Sequence, residues 1–231
     1  MPMAGDPQRV KVWDAPVRAF HWLVVLAVGV CWYTAENRVM DWHRRGGYVV
    51  LALVLFRLYW GFAGSSTARF SGFLRGPAAV RDYLGTLRER ATAPEAGHNP
   101  LGGWSVVALI AVLLAMPLLG LFAVDTDGVE SGPLSWLVSF KLGRRAAHWH
   151  EDVFTILQAL AVVHVAAILY YAFWKKQDLV APMVTGYRRL SREAAAGIRL
   201  AATWRALPGL LVAIAIVVVV ALYSQAVARL F

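Results

Sequence analysis

The chain has 231 residues, 59% of them hydrophobic and only 16% charged, with a mean hydropathy of +0.54. These values exclude an ordinary soluble domain. The formal charge of +9 would suit a nucleic-acid partner, but the positions of the charges, taken below, account for it differently. A single cysteine, Cys31, excludes an internal disulfide, a cysteine-ligated iron-sulfur cluster and the CxxCH attachment of c-type haem.

The first ten residues, MPMAGDPQRV, are polar and lead straight into an apolar stretch, so no cleaved signal is expected and the first span should stay as an anchor. Crossing the hydrocarbon core takes roughly 20 largely apolar residues. Five stretches qualify: Val17 to Thr34, Tyr48 to Gly64, Leu101 to Val124, Val153 to Trp174 and Leu207 to Leu230. The connection Ser65 to Pro100 is polar, with glycine, proline and five arginines, and can hold a short surface helix around Pro77 to Arg90. Asp125 to Ala147 contains the turn signal DTDGVESGP, then the more apolar LSWLVSFKL, which is expected to lie flat at the outer interface. Lys175 to Arg205 is basic and in part helical. The last span, with IAIVVVV at its centre, has no histidine and no charge before Arg229, and reads as a lipid-facing helix or a surface for a partner.

With the N-terminus inside, the cytoplasmic segments hold Arg9, Lys11 and Arg18, then Arg69 to Arg90, then Lys175 to Arg205, fifteen basic residues in all. The opposite side holds seven, Arg38, Arg44, Arg45, Lys141, Arg144, Arg145 and Arg229, and each side carries seven acids. The positive-inside rule then predicts a cytoplasmic N-terminus and a periplasmic C-terminus in a bacterial inner membrane. Anionic membrane lipid explains the basic loops, and no nucleic acid is required.

Histidine supplies the chemistry. His150 and His164 are fourteen residues apart in one apolar helix, which on an ideal helix leaves them only about 40° apart in azimuth and about 21 Å apart along the axis. Ligating side chains at membrane depth are costly and usually functional. Alternating span directions put His43 at the outer level with His150, and His21 at the inner level with His164. Two bis-imidazole pairs, each joining two helices, match what two six-coordinate haems b require. His148, sixteen residues from His164, turns about 160° away and is expected to be a boundary residue.

Gly47, four residues after His43, can admit a porphyrin plane, although Gly46 and Gly47 also suit close helix packing. Arg57, fourteen residues beyond His43, points the same way and can pair with a haem propionate or snorkel to the headgroups. No catalytic residue is assigned. The expected fold is an all-α membrane protein: a four-helix transmembrane bundle holding two haems b over residues 1–190, followed by a basic linker and a fifth transmembrane helix over residues 191–231.

Several motifs occur in order: RAFHW, HRRGGY followed by FRLYWGFAG, ARFSGFLRGP, GHNPLGG, the HE-led helix ending in VVH, and MVTGYRRL. On these the chain resembles the bacterial cytochrome b561 type, which includes the b-type cytochrome subunits of nickel-iron hydrogenases and related membrane dehydrogenases. The resemblance implies electron transfer between a quinone in the membrane and a periplasmic redox protein such as a c-type cytochrome, a hydrogenase or a dehydrogenase. It also implies a quinone pocket at the start of the third span, where His98 and Asn99 would bond a quinone carbonyl; Asn99 can equally cap the helix that Pro100 begins. Some similar stand-alone members oxidise or reduce a small outer species such as superoxide, which Lys141, Arg144 and Arg145 would attract. A histidine-based transporter of protons or metal is a third reading, and Soret absorption separates it from the haem readings.

Overall fold

The computed structural model describes residues 7–90 and 94–228, apart from the side chains of residues 225, 227 and 228. Arg229 and Leu230, assigned above to the outer end of the last span, lie outside the described residues, as do positions 91–93 of the Ser65 to Pro100 connection. In chain order the elements are β1 (Gln8–Lys11), α1 (Ala15–Glu36), α2 (Met40–Ala63), α3 (Phe70–Phe73), α4 (Pro77–Thr86), α5 (Pro100–Phe122), α6 (Phe140–Phe173), α7 (Val180–Thr185), β2 (Tyr187–Leu190), α8 (Arg192–Ala195) and α9 (Ala206–Ala228). Helices α1, α2, α5, α6 and α9 are long and apolar enough to cross a membrane. A helix pairs most of its backbone internally, as hydrocarbon demands, and α5 carries one interruption of that ladder at Pro117.

Two of these helices extend well beyond the apolar windows read from sequence. α2 starts at Met40 rather than Tyr48, and α6 at Phe140 rather than Val153. Hydropathy marks the stretch facing lipid, whereas the backbone ladder continues through polar turns. One such turn is held by Arg44, which donates to Asp41 at 2.6 Å and to Glu130 at 2.6 Å. LSWLVSFKL forms a 3-10 turn at Ser135–Leu137, and its last three residues open α6.

The chain divides into two compact units, the boundary falling within the helices. The first comprises Met1–Ala19, Leu58–Ala108 and Leu160–Ala206. Here β1 pairs antiparallel with β2, Gln8 opposite Leu190 and Lys11 opposite Tyr187, a pairing that the short polar stretches did not signal. Gly186 ends α7 with φ +89°, and its carbonyl accepts from Val12 N at 2.8 Å and from Trp13 N at 3.2 Å. A side chain there would combine a left-handed backbone with a Cβ only 2.9 Å from Trp13 O, which accounts for the glycine of MVTGYRRL. Asp14 caps α1 by accepting from Val17 N at 2.9 Å, and its second oxygen accepts from Trp60 Nε1 at 3.0 Å. At the end of α2, Thr67 Oγ1 donates to Val12 O at 2.6 Å and Ser65 Oγ accepts from Ala201 N at 2.9 Å.

The expected surface helix begins at Pro77 but stops at Thr86, short of Arg90. Its end is held by side chains from the last turn of α6 and just beyond. Tyr170 donates to Leu87 O, and the buried Lys175, 1% exposed, donates to Thr86 O and Glu89 O at 2.6 Å each. These groups complete the terminal carbonyls that a helix leaves open.

The second unit comprises Phe20–Arg57, Leu109–Ala159 and Leu207–Phe231. Leu51 of α2, Leu121 of α5 and Val217 of α9 form its buried cluster, with Tyr48, Leu55, Leu114 and Val220 against it. One stripe of the last span therefore packs on the protein, while Leu211, Val219 and Leu222 stay exposed, as suits lipid. The turn signal is realised as a tight connection, with a Val124 to Ser131 bridge and Gly128 at φ +71°.

Candidate functional site

Within the second unit α2 and α6 bring His43 and His150 together, their ring centroids 6.0 Å apart and their planes at 75°. His43 Nδ1 lies 2.9 Å from the Cys31 carbonyl, and His150 Nδ1 lies 2.9 Å from the Met116 carbonyl. A carbonyl can only accept, so Nδ1 is the donor in both rings, and in a neutral imidazole with that tautomer Nε2 is the nitrogen able to ligate. Such second contacts are how proteins orient ligating histidines.

Two glycines distinguish packing from open space. A Cβ on Gly46 would meet Cys31 Sγ at 2.6 Å, so Gly46 serves close approach of α1 and α2. A Cβ on Gly47 would have nothing within 4 Å among the described residues. Sequence reasoning missed Gly120, whose Cβ would stand 3.3 Å from His150 Cε1. It lies one turn beyond Met116, and its bareness lets the imidazole reach the Met116 carbonyl. Only the spacing of MPLLG on α5 hinted at this.

Arg57 is 3% exposed, buried rather than extended to a surface. His148 is on the outside of α6: its side chain is 71% exposed and faces Glu151 at 3.9 Å. Arg144 donates to Val124 O at 2.9 Å, which engages one of the three cations Lys141, Arg144 and Arg145. His21, half-buried, has its ring edge-on to Trp22 at 4.8 Å, and His164 is half-buried on α6, which is unbroken from His150 onward. His21 belongs to the second unit and His164 to the first.

The first unit contains a pocket of about 430 Å³ between α4 and the start of α5, with Arg75, Asp82, Tyr83, Glu95 and His98 on its walls. The His98 ring packs between Trp13, at 4.8 Å, and Phe73, at 4.9 Å. Asn99 does cap α5, its Oδ1 accepting from Gly102 N at 2.7 Å, while its Nδ2 donates to Tyr171 Oη at 2.7 Å. Tyr171 in turn shares a hydrogen bond with Tyr83. Burial, followed by the bond to Tyr171, pushes the Tyr83 phenol up. Burial also holds the Glu95 carboxyl above the usual carboxylate range, opposed by Arg188 and Arg75. Neither tyrosine nor Glu95 stood out in the sequence, because their neighbours come from distant segments.

The family model described as prokaryotic cytochrome b561 matches residues 12–186, about three quarters of the chain. The chain belongs to the prokaryotic cytochrome b561 family. Relatives named probable Ni/Fe-hydrogenase B-type cytochrome subunits include one from Cupriavidus necator, 25% identical over 209 residues that cover 77% of this chain and 86% of the relative. One from Azotobacter vinelandii is 26% identical, covering 78% and 88%, and the hydrogenase 1 subunit of Escherichia coli is 24% identical, covering 77% and 89%. No solved structure matches. The protein is thus a multi-pass membrane b-type cytochrome of electron transfer, and a b-type cytochrome holds haem b.

The residues present fit that group. Two imidazoles could hold an iron between them where their rings stand roughly 6 Å apart and Nδ1 is bonded elsewhere. His43 and His150 have that separation, fixed tautomers and the bare Gly47 one turn along α2.

Proposed function

We propose that this cytochrome b is a di-haem electron conduit between a quinone pool and a periplasmic redox partner. His43 and His150 ligate the outer haem, and His21 and His164, matched by depth along their spans, ligate the inner one. Haem supplies one-electron transfer, and the chain holds it, orients it and tunes it. The Cys31 and Met116 carbonyls hold the outer imidazoles with Nε2 forward, Gly47 leaves room beside them, and Arg57 offers a buried positive charge to a propionate. The observation that carries this reading is the pair of imidazoles 6.0 Å apart, each fixed through Nδ1.

The quinone enters the pocket beside His98 and Asn99. The names of the relatives favour a hydrogenase as the outer partner over a c-type cytochrome or another dehydrogenase. The chain sits in the bacterial inner membrane with its N-terminus cytoplasmic and its C-terminus periplasmic, a placement that the charge balance supports.

The test is stoichiometric. Protein purified in mild detergent should give two haems b per chain by pyridine haemochrome, and its dithionite-reduced form should be reoxidised by added quinone. A ratio of one, or reduced haem inert to quinone, defeats the reading. Gly120→Val is expected to push the His150 ring off the Met116 carbonyl. Haem retention at that level should weaken roughly 10- to 100-fold, as for loss of an orienting contact; haem titration of the purified variant measures it.

A further inference from the structure

The pocket between α4 and α5 is lined by two carboxyls, the exposed Asp82, 3.7 Å from Arg81, and Glu95, which has the cations Arg75 and Arg188 near it. Facing Glu95 are Arg75 ahead of α4, Asp82 and Tyr83 on α4, His98 before α5, Tyr171 near the end of α6 and Arg188 on β2. Arg188 is directed elsewhere: one guanidinium nitrogen donates to the Glu95 backbone carbonyl at 3.0 Å and the other to Gln177 Oε1 at 2.8 Å. Opposite, Tyr83 is held by Tyr171, which also accepts from the Asn99 amide that caps α5. On one wall Tyr83 is thus the end of a hydrogen-bonded chain that runs back through Tyr171 to Asn99, and Glu95 on the lining carries an acid that can exchange a proton.

We infer that Glu95 is the proton-exchanging group of this pocket, passing protons between cytoplasmic water and a bound quinone that the Tyr83, Tyr171 and Asn99 chain helps to position. The inference rests on the reading that the quinone binds here. In the reducing direction the quinone takes two electrons, one at a time, from the reduced b haems and ultimately from the outer donor. For each of its two protons the O–H bond of the Glu95 carboxyl breaks, an O–H bond forms on a quinone oxygen, and the carboxylate recovers a proton from water. Oxidation of quinol reverses each step. Glu95 lines the pocket and is itself exposed to solvent, so it can meet both a bound molecule and water, and partial desolvation by the pocket wall raises its carboxyl pKa.

The test uses haem-loaded, full-length protein with decylubiquinone as the probe. Glu95→Gln keeps the size of the side chain and removes its acid. Decylubiquinone should still quench tryptophan fluorescence at the same concentration, since Trp13 lies beside His98. Reoxidation of reduced haem should slow roughly 100-fold, the scale of general acid and base catalysis. Its pH profile should flatten, and a protonated-carboxyl band should vanish from the redox difference infrared spectrum. Glu95→Asp should restore part of the rate and the pH dependence. An unchanged rate and pH profile in Glu95→Gln overturns the inference while leaving the quinone site standing. Ala79→Trp, which fills the pocket from α4, separates the other failure: if decylubiquinone binds and reoxidises haem as before, both the site and the role of Glu95 are wrong.

Discussion

Replacing His150 by leucine is expected to remove one of two haems, halving the pyridine haemochrome signal per chain, and replacing His43 should remove the same one. The two variants should lose the same component of the reduced absorption spectrum and of the redox titration, because their imidazoles form one pair with centroids 6.0 Å apart. His148→Leu should keep both haems, since that side chain is exposed and faces Glu151. The contrast between positions 148 and 150 makes the test sharp. They are two residues apart on α6, roughly 200° around an ideal helix, so any ligand assignment is also a statement of register. Loss of the haem in His148→Leu with retention in His150→Leu would refute the register, and with it the pairing of His150 and His164 on one helix.

Asp14→Ala should destabilise the first unit by about 2–4 kcal/mol, from loss of a helix cap and of a buried hydrogen bond to a charged group. Asp14 is 4% exposed and serves two elements at once: one carboxylate oxygen begins α1, and the other holds the fully buried Trp60 of α2. Its neighbour Trp13 packs on His98, so the damage should reach the pocket as weaker quinone binding. Asp14→Asn keeps a capping oxygen and should lose less than half as much. Thermal melting in detergent, followed by circular dichroism, measures both; an alanine variant that melts with the parent would show that the cap and the indole bond contribute nothing measurable.

The lengths of the five apolar stretches, the asymmetry of their flanking charges and the fourteen-residue step from His150 to His164 are local properties, written in composition and helical period. They suffice for an all-α membrane protein and for the histidines to be singled out. They also sufficed to set His148 aside, because turning by about 100° per residue is a property of the backbone alone. The capping oxygen of Asn99 was legible for the same reason: cap and helix start are three residues apart.

What sequence alone left open involves partners distant in the chain. Gly46 and Gly47 are adjacent and chemically identical, yet one touches Cys31 and the other faces open space, a distinction that only the approach of α1 to α2 creates. Met116 and Cys31 orient two imidazoles through backbone carbonyls that every residue possesses, so no residue type could have flagged them. β1 pairs with β2 across most of the chain, and Tyr83 meets Tyr171 over 88 positions. By itself the sequence determined how many helices are built to cross the membrane and which histidines share a helical face. Only the tertiary structure decided which carbonyl turns each imidazole and which acid faces the pocket, because helical period governs a helix and its nearest turns, whereas contacts across the chain depend on how the helices pack.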